Sequence, residues 1–202
     1  MTYNIRITLE DNKFIDVELY EEVAPISVAN FLKLVDQKYF DGIIFHRIIK
    51  NFMVQTGGYK IDGNNLVEAD EVETIKGEFS SNGVINDLKH TKGILSMARS
   101  QAMDSAGSQF FIMLGEAPHL DGSYAAFGKV IKGMDIVESI EKRETVNGDS
   151  LINKLSMINS EFIDEVDVLD LVFKNSDFNY YIKKDILRDI MNYNRELYLK
   201  NY

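Results

Sequence analysis

The sequence predicts a mainly β protein, an antiparallel barrel capped by two helices. Strand-like segments outnumber helical ones, and the helices do not alternate with strands as parallel βαβ units require. The 202 residues are 45% hydrophobic, which suffices for one sizeable core and a small appendage. We therefore expect one main domain over residues 1–159 and a C-terminal extension over residues 160–202.

The first elements are a β-hairpin and a short helix. Apolar and polar residues alternate over 3–9 and 13–19, and Glu10-Asp11-Asn12 between them has the composition of a turn. After Pro25, apolar residues recur at spacings of three, four and seven up to Val35. This pattern predicts an amphipathic helix that starts near the proline.

The remaining segments of the main domain are short and apolar or long and polar. The polar stretch over 59–92 is rich in Asp, Glu and Asn and predicts a long surface connection. Strands are predicted over 43–58, 93–98, 109–114 and 124–131, a second helix over 133–140, and a closing strand over 154–158.

The extension carries a clear helical pattern. Ile182, Ile186, Ile190, Tyr193 and Leu197 fall on one face of a helix. Its polar face mixes acidic and basic residues, which favours docking on the barrel or on a partner over a cofactor or membrane role.

Composition excludes several classes of partner and compartment. The 32 acidic and 22 basic residues give a net charge of -10, which argues against nucleic-acid binding. The chain has no cysteine, no pattern of a signal peptide at its start and no run of 18 apolar residues. We expect a cytoplasmic protein without a membrane partner.

Motifs of metal, cofactor and hydrolase chemistry are also missing. The three histidines, His46, His90 and His119, lack metal-ligand spacing, so we expect no metal and no cofactor. No serine lies in a Gly-x-Ser-x-Gly motif. His46 is interpreted as a hydrogen-bonded structural imidazole in preference to a catalytic base.

Three strand-like segments place unusual side chains on shared faces. Residues two apart in a strand share a face of the sheet. Met53 therefore shares a face with Gln55, and Gln109 shares one with Phe111. Arg47 lies on the face opposite to that of its two chain neighbours. If the three faces adjoin, they combine a guanidinium, two amides, a thioether and a phenyl ring. Such a surface suits a peptide groove.

The same segments carry a family resemblance. Residues 45–58, Phe-His-Arg-Ile-Ile-Lys-Asn-Phe-Met-Val-Gln-Thr-Gly-Gly, resemble the cyclophilin signature. Residues 93–99, 106–112 and 120–130 resemble the other blocks of that family in the same order. The similarity extends over roughly residues 3–158.

The resemblance implies a closed, eight-stranded antiparallel barrel capped by two helices. It implies a peptidyl-prolyl cis/trans isomerase that acts on proline-containing peptides and on unfolded or folding proteins, without a cofactor. By this similarity Arg47 and Gln55 are catalytic, Arg47 stabilising the twisted amide. The substrate-binding residues implied are Phe52, Met53, Ala98, Arg99, Gln109, Phe111, His119, Leu120 and Tyr124.

Some positions depart from the family pattern. Lys50-Asn51 replaces a common Pro-Gly, and Asn51 can adopt the left-handed conformation that the turn requires. His119 stands where a Trp is common, and Tyr124 where a His is common. In the family, recognition of cyclosporin relies on that Trp. Cyclosporin binding to this chain is therefore expected to be weak.

Two other functions fit the same residues. One is a non-catalytic module that binds proline-containing peptides through a cyclophilin fold. The other is a chaperone that captures clients with the aromatic-rich C-terminal segment. Arg47, Gln55, Gln109 and Phe111 occurring together favour the enzyme.

Overall fold

A computed structural model describes residues 2–9, 11–63, 65–143, 145–146, 150–151 and 157–163. The predicted amphipathic helix of the extension, with its apolar face from Ile182 to Leu197, lies outside the described residues.

One antiparallel sheet forms the body of the described protein. Its ten strands are ordered β10–β11–β3–β4–β8–β7–β9–β2–β1–β12, and β5 and β6 form a separate two-stranded sheet. The strands are β1 (Thr2–Leu9), β2 (Phe14–Tyr20), β3 (Arg47–Ile49), β4 (Met53–Thr56), β5 (Tyr59–Asp62), β6 (Asn65–Glu68), β7 (Ile94–Met97), β8 (Phe110–Met113), β9 (Ala126–Lys132), β10 (Thr145–Val146), β11 (Ser150–Leu151) and β12 (Met157–Phe162).

The main sheet agrees with the predicted β class. Apart from the two-residue strands β10 and β11, it contains eight strands, and every pairing is antiparallel. The helices are α1 (Pro25–Asp36) and α2 (Met134–Glu141), as predicted. Among the described residues, β10 and β12 are the two ends of the strand order, so closure of the barrel stays a proposal.

The N-terminal hairpin follows the predicted alternation. Strands β1 and β2 pair with Ile5 opposite Val17 and with Arg6 opposite Asp16. The inward side chains are fully buried, whereas Arg6 donates two hydrogen bonds to the Asp16 carboxylate at 2.8 and 2.9 Å. Asn12 in the turn has a φ of 59°, a left-handed value that Asn tolerates.

The connection over residues 59–92 was incompletely predicted. It contains the β5–β6 hairpin, which the sequence did not indicate because its strands are only four residues long and β6, Asn-Leu-Val-Glu, does not alternate apolar and polar residues. The rest crosses the surface but also contributes buried residues, among them Glu78, Phe79 and Asn86.

The last described strand lies further along the chain than predicted. β12 pairs with β1, with Ile7 opposite Ser160, and it ends at Phe162. The predicted strand over 154–158 overlaps it at two residues, and residues 152–156 lie outside the described part. The proposed domain boundary between residues 159 and 160 falls within this strand.

Helix α1 is capped by a residue from the long connection. The buried Glu78 carboxylate accepts hydrogen bonds from the backbone amides of Ile26 and Ser27 at 2.8 and 2.7 Å, and from the Ser27 hydroxyl at 2.7 Å. These amides belong to the first turn of the helix, where no intrahelical acceptor exists. Glu78 therefore fastens the connection to the helix.

We expect Glu78→Ala to lower the free energy of unfolding by about 2–4 kcal/mol, because it leaves buried donors without an acceptor. Chemical denaturation of both proteins measures the difference. Glu73→Ala, at an exposed position on the same connection, is the matched control and should have little effect. Equal stabilities of wild type and Glu78→Ala would show that the cap contributes nothing.

Candidate functional site

The candidate site is built on a row of side chains across three neighbouring strands. Arg47 on β3 lies opposite Gln55 on β4, and Gln55 lies opposite Phe111 on β8. Residues directly opposite each other in an antiparallel pair project from the same face. The three strand faces whose side chains suggested a peptide groove therefore adjoin.

Arg47 lies at the exposed end of this row. Its strand neighbours His46 and Ile48 point the other way and are buried, as the alternation predicted, whereas Arg47 itself is exposed. The guanidinium is therefore accessible to a ligand on the outer surface.

The turn between β3 and β4 places the next two residues of the site. Asn51 has a φ of 59°, and the backbone amide of Phe52 donates to the Ile49 carbonyl at 3.0 Å. The expectation that Asn51 supports this turn in a left-handed conformation is confirmed. Met53 follows as the first residue of β4 and is 3% exposed.

An apolar cluster separate from the main core borders the row. Its buried members are Met53, Ile94, Phe111, Met113, Ala117, Leu120 and Ala126. Half-buried residues that pack against it are Ile49, Phe52, Leu88, Ala98 and Tyr124. The structure thus brings together the four residues predicted to hold a proline ring, Phe52, Met53, Phe111 and Leu120.

Aromatic contacts border this cluster. The Phe52 and His119 rings stack with their centroids 5.7 Å apart, and His119 is exposed. Tyr124 meets Phe111 edge to face at 6.1 Å. His119 and Tyr124, the two predicted rim residues, therefore both lie beside the apolar cluster.

Two side-chain amides, those of Gln55 and Gln109, lie next to each other beside the apolar cluster. Gln55 Nε2 donates to Gln109 Oε1 at 2.8 Å. Gly58 is needed for this arrangement, since a Cβ there would lie 2.4 Å from Gln109 Nε2 and 2.5 Å from its Cδ. The glycine therefore leaves room for the Gln109 side chain.

Arg99 uses its guanidinium within the protein. It donates to the carbonyls of Ser123 at 2.9 Å and Ser100 at 2.9 Å, and it lies 4.6 Å from the Tyr124 ring centroid. The neighbouring Ala98 amide donates to the Gln109 carbonyl at 2.9 Å. Arg99 thus braces the loop that carries Tyr124, a role that sequence alone did not reveal.

A buried polar group supports Phe111 from behind. The neutral His90 ring contacts Asp121 Oδ1 through Nδ1 at 3.0 Å and Ser96 Oγ through Nε2 at 2.9 Å. The ring lies nearly parallel to Phe111, with the centroids 6.3 Å apart. Burial lowers the pKa of His90, which keeps the imidazole uncharged.

This group has the residue types of a hydrolase triad but cannot act as one. Ser96 is fully buried on β7, so its hydroxyl cannot reach a substrate. No sequence motif signals this arrangement, because the three residues come from separate segments.

His46 is buried beneath the row, and its ring is tilted against the Tyr59 ring with the centroids 4.6 Å apart. Its Nδ1 is buried without a hydrogen-bond partner, whereas the Ile44 backbone and the Gln109 side chain interact with the ring, in line with the interpretation of His46 as a structural imidazole. Burial lowers the pKa of His46 to about 4, and the charge of Arg47 acts in the same direction. His46 is therefore neutral at physiological pH.

The lowered pKa of His46 predicts acid sensitivity. An unfolded histidine binds a proton below a pH of about 6.5, whereas the folded one does so only below about 4. The free energy of unfolding should fall as pH drops through this window, by up to about 3 kcal/mol from this group. Denaturation at pH 7 and 4.5 should show a smaller difference for His46→Phe than for wild type.

An identical pH dependence in wild type and His46→Phe would rule out His46 as its source.

Within the described ranges, no three His, Asp or Glu side chains converge in a way that could hold a metal ion. In the same part of the chain, no helix has the length and hydropathy needed to cross a membrane.

The fold and the site define a β-sheet protein with an apolar cluster, bordered by amides and an exposed guanidinium. The family model described as cyclophilin type peptidyl-prolyl cis-trans isomerase matches residues 4–161. A peptidyl-prolyl cis-trans isomerase of Acinetobacter baylyi is 47% identical over 131 residues, which span 62% of this chain and 65% of that protein. The isomerase cypE of Dictyostelium discoideum is 39% identical over 158 residues, 78% of this chain and 94% of that protein.

Solved structures agree with the sequence comparisons. A cyclophilin type peptidyl-prolyl cis-trans isomerase of Cryptosporidium parvum superposes with a TM-score of 0.67 at 26% identity, covering 82% of this chain and all of that one. The same protein in the presence of the dipeptide Ala-Pro gives a TM-score of 0.66 at 28% identity. The chain belongs to the cyclophilin-type peptidyl-prolyl cis-trans isomerase family.

Proposed function

We propose that this chain isomerises Xaa-Pro bonds in a recess beside Arg47, formed over the apolar cluster of Phe52, Met53, Phe111 and Leu120. The observation that carries the proposal is the row Arg47, Gln55 and Phe111, which runs from an exposed cation to an apolar cluster. The proline ring lies against Phe52, Met53, Phe111 and Leu120, and the preceding carbonyl and the prolyl nitrogen come near the guanidinium.

The chemistry requires no nucleophile and no metal. Resonance gives the Xaa-Pro bond a rotation barrier of ~20 kcal/mol. As the amide twists, the nitrogen lone pair localises, and Arg47 donates a hydrogen bond to it. A hundred-thousandfold acceleration requires about 7 kcal/mol, which several such contacts supply together.

The apolar recess contributes in a different way. It takes the proline ring out of water, which otherwise stabilises the planar, polar ground state of the amide. The Gln55–Gln109 hydrogen bond fixes both amides, so that they hold Arg47 and the peptide backbone in register.

The substrates proposed are proline-containing peptides and proteins that are folding. The Cryptosporidium parvum relative was solved in the presence of Ala-Pro, which supports a proline-directed site here. We expect weak cyclosporin binding, because His119 stands at a rim position where many family members have a larger Trp. We also propose that the sheet closes into a barrel. The C-terminal extension over residues 160–202 is proposed to dock on this barrel or on a partner.

Assistance to folding is tested on a protein whose refolding is limited by proline isomerisation. We expect the slow phase, which takes tens of seconds, to accelerate in proportion to the amount of this chain added. An unchanged slow phase, with the peptide still bound at the recess, would instead identify a non-catalytic binding module.

A further inference from the structure

The turn between β3 and β4 is short and lies at the protein surface. Lys50 and Asn51 are its central residues, and both are exposed. The turn connects β3, which carries Arg47, to Phe52, which packs against the apolar cluster. Because the central residues lie outside the core, the position of the turn depends on polar contacts from neighbouring elements.

A carboxylate of helix α2 holds the turn from one side. The backbone amide of Asn51 donates to Glu141 Oε1 at 2.6 Å. The turn's own hydrogen bond uses the amide of Phe52, so the amide of Asn51 is left for an acceptor outside the turn. A hydrogen bond to an ionised carboxylate is roughly twice as strong as one between neutral groups. Glu141 therefore fixes the turn at Asn51.

The opposite side of the turn lies against the segment that follows β8. The Leu114 amide donates to the Phe52 carbonyl at 2.8 Å. A Cβ at Gly115 would lie 2.6 Å from the carbonyl oxygen of Asn51, so the two backbones are in direct contact there. The turn is thus held between this segment and helix α2, with Glu141 as the contact from the helix.

Helix α2 is a rigid support for this carboxylate. Its Val137 and Ile140 side chains are fully buried in the main core, and the helix contacts β3 and β4. Glu141 follows Ile140 directly and is the last residue of the helix. A carboxylate at this end opposes the helix dipole, so stabilisation of the helix does not explain the residue. Its contact with the turn does.

We propose that Glu141 is a positioning residue of the isomerase, which acts through Asn51 to hold Phe52 where its ring meets the proline. The Phe52 ring contacts the proline in the planar ground state and in the twisted transition state alike. Its displacement therefore weakens substrate binding without raising the barrier from the bound state. The inference deepens the proposed function and rests on it.

Exchange NMR on an Ala-Pro peptide at a series of peptide concentrations separates KM from kcat. We expect Glu141→Ala to raise KM by about threefold to tenfold, the effect of one hydrogen bond to a charged group, and to change kcat by less than about twofold. Glu141→Gln keeps an oxygen acceptor for the Asn51 amide and should restore KM to within about twofold of wild type.

Glu138→Ala is the matched control. It removes the same charge from the same helix, but the Glu138 carboxylate pairs with Lys92 and not with the turn. We expect this variant to keep the KM and kcat of wild type. Both losses are of contacts near the surface, so the melting temperatures of Glu138→Ala and Glu141→Ala should be similar.

The backbone amide proton of Asn51 reports on the contact directly. A proton in a short hydrogen bond to a carboxylate resonates downfield, so its signal should move upfield in Glu141→Ala and stay in place in Glu138→Ala. A folded wild type that fails to isomerise the peptide would overturn the proposed function. If wild type is active, an unchanged KM in Glu141→Ala, or a loss of activity that only follows a lower melting temperature, would overturn the positioning role alone.

Discussion

We expect Arg47→Ala to lower kcat/KM for an Xaa-Pro peptide by about a hundredfold to a thousandfold. That is the usual loss when a single donor to developing transition-state charge is removed. Arg47 is exposed at the end of its strand row, so the truncation removes no buried packing. The exchange rate between cis and trans signals of the peptide gives kcat/KM, and the melting temperature reports on the fold.

Arg47→Lys is the informative companion variant. It keeps the positive charge but loses the planar, forked set of donors, so we expect an intermediate loss. Lys129→Ala, at another exposed cation on β9, controls for the change in net charge and should keep full activity. Wild-type activity in a folded Arg47→Ala protein would remove this side chain from the mechanism.

The second large effect is expected from Gly58→Ala, which should lower kcat/KM by about tenfold or more while the fold persists. The added methyl group would occupy the space of the Gln109 side chain, with contacts of 2.4–2.7 Å. Since the end of a glutamine can rotate away, the collision breaks the hydrogen bond to Gln55 instead of unfolding the sheet. Peptide exchange NMR and thermal denaturation measure the two properties separately.

A mutant cycle with Gln109→Ala provides the control. If Gly58→Ala acts by displacing Gln109, it should have little further effect once that side chain is gone. Gly57→Ala gives a contrast, because a Cβ there would lie 2.2 Å from the backbone oxygen of Ser108 and would destabilise the fold itself. Additive losses in the cycle would show that Gly58 and Gln109 act independently.

The predictable parts of the structure were those with a local cause. The period of two predicted that Arg47 and His46 lie on opposite faces and that Met53 and Gln55 share one, and the structure places Arg47 outside and His46 inside. Asn51 indicated its turn because few residues accept a positive φ. The hairpin of β1 and β2 followed from alternation around a polar turn.

The parts that escaped prediction depend on distant residues. Glu78 caps a helix that begins about fifty positions earlier, and neither residue type signals the pairing. His90 meets Asp121, which lies 31 positions later in the chain. Arg99 resembled a ligand contact in sequence, yet its donors are directed at carbonyls of the protein. Strand β6 lacks the apolar alternation that marks a half-buried strand, and the alternation of β5 extends over only four residues.

The most direct test of the central claim is two-dimensional exchange NMR on a short Ala-Pro-containing peptide with catalytic amounts of the 202-residue chain. We expect cross-peaks between the cis and trans signals on a subsecond timescale, where the free peptide takes tens to hundreds of seconds. Exchange that remains at the rate of the free peptide, in the presence of folded protein, would contradict isomerisation at this site.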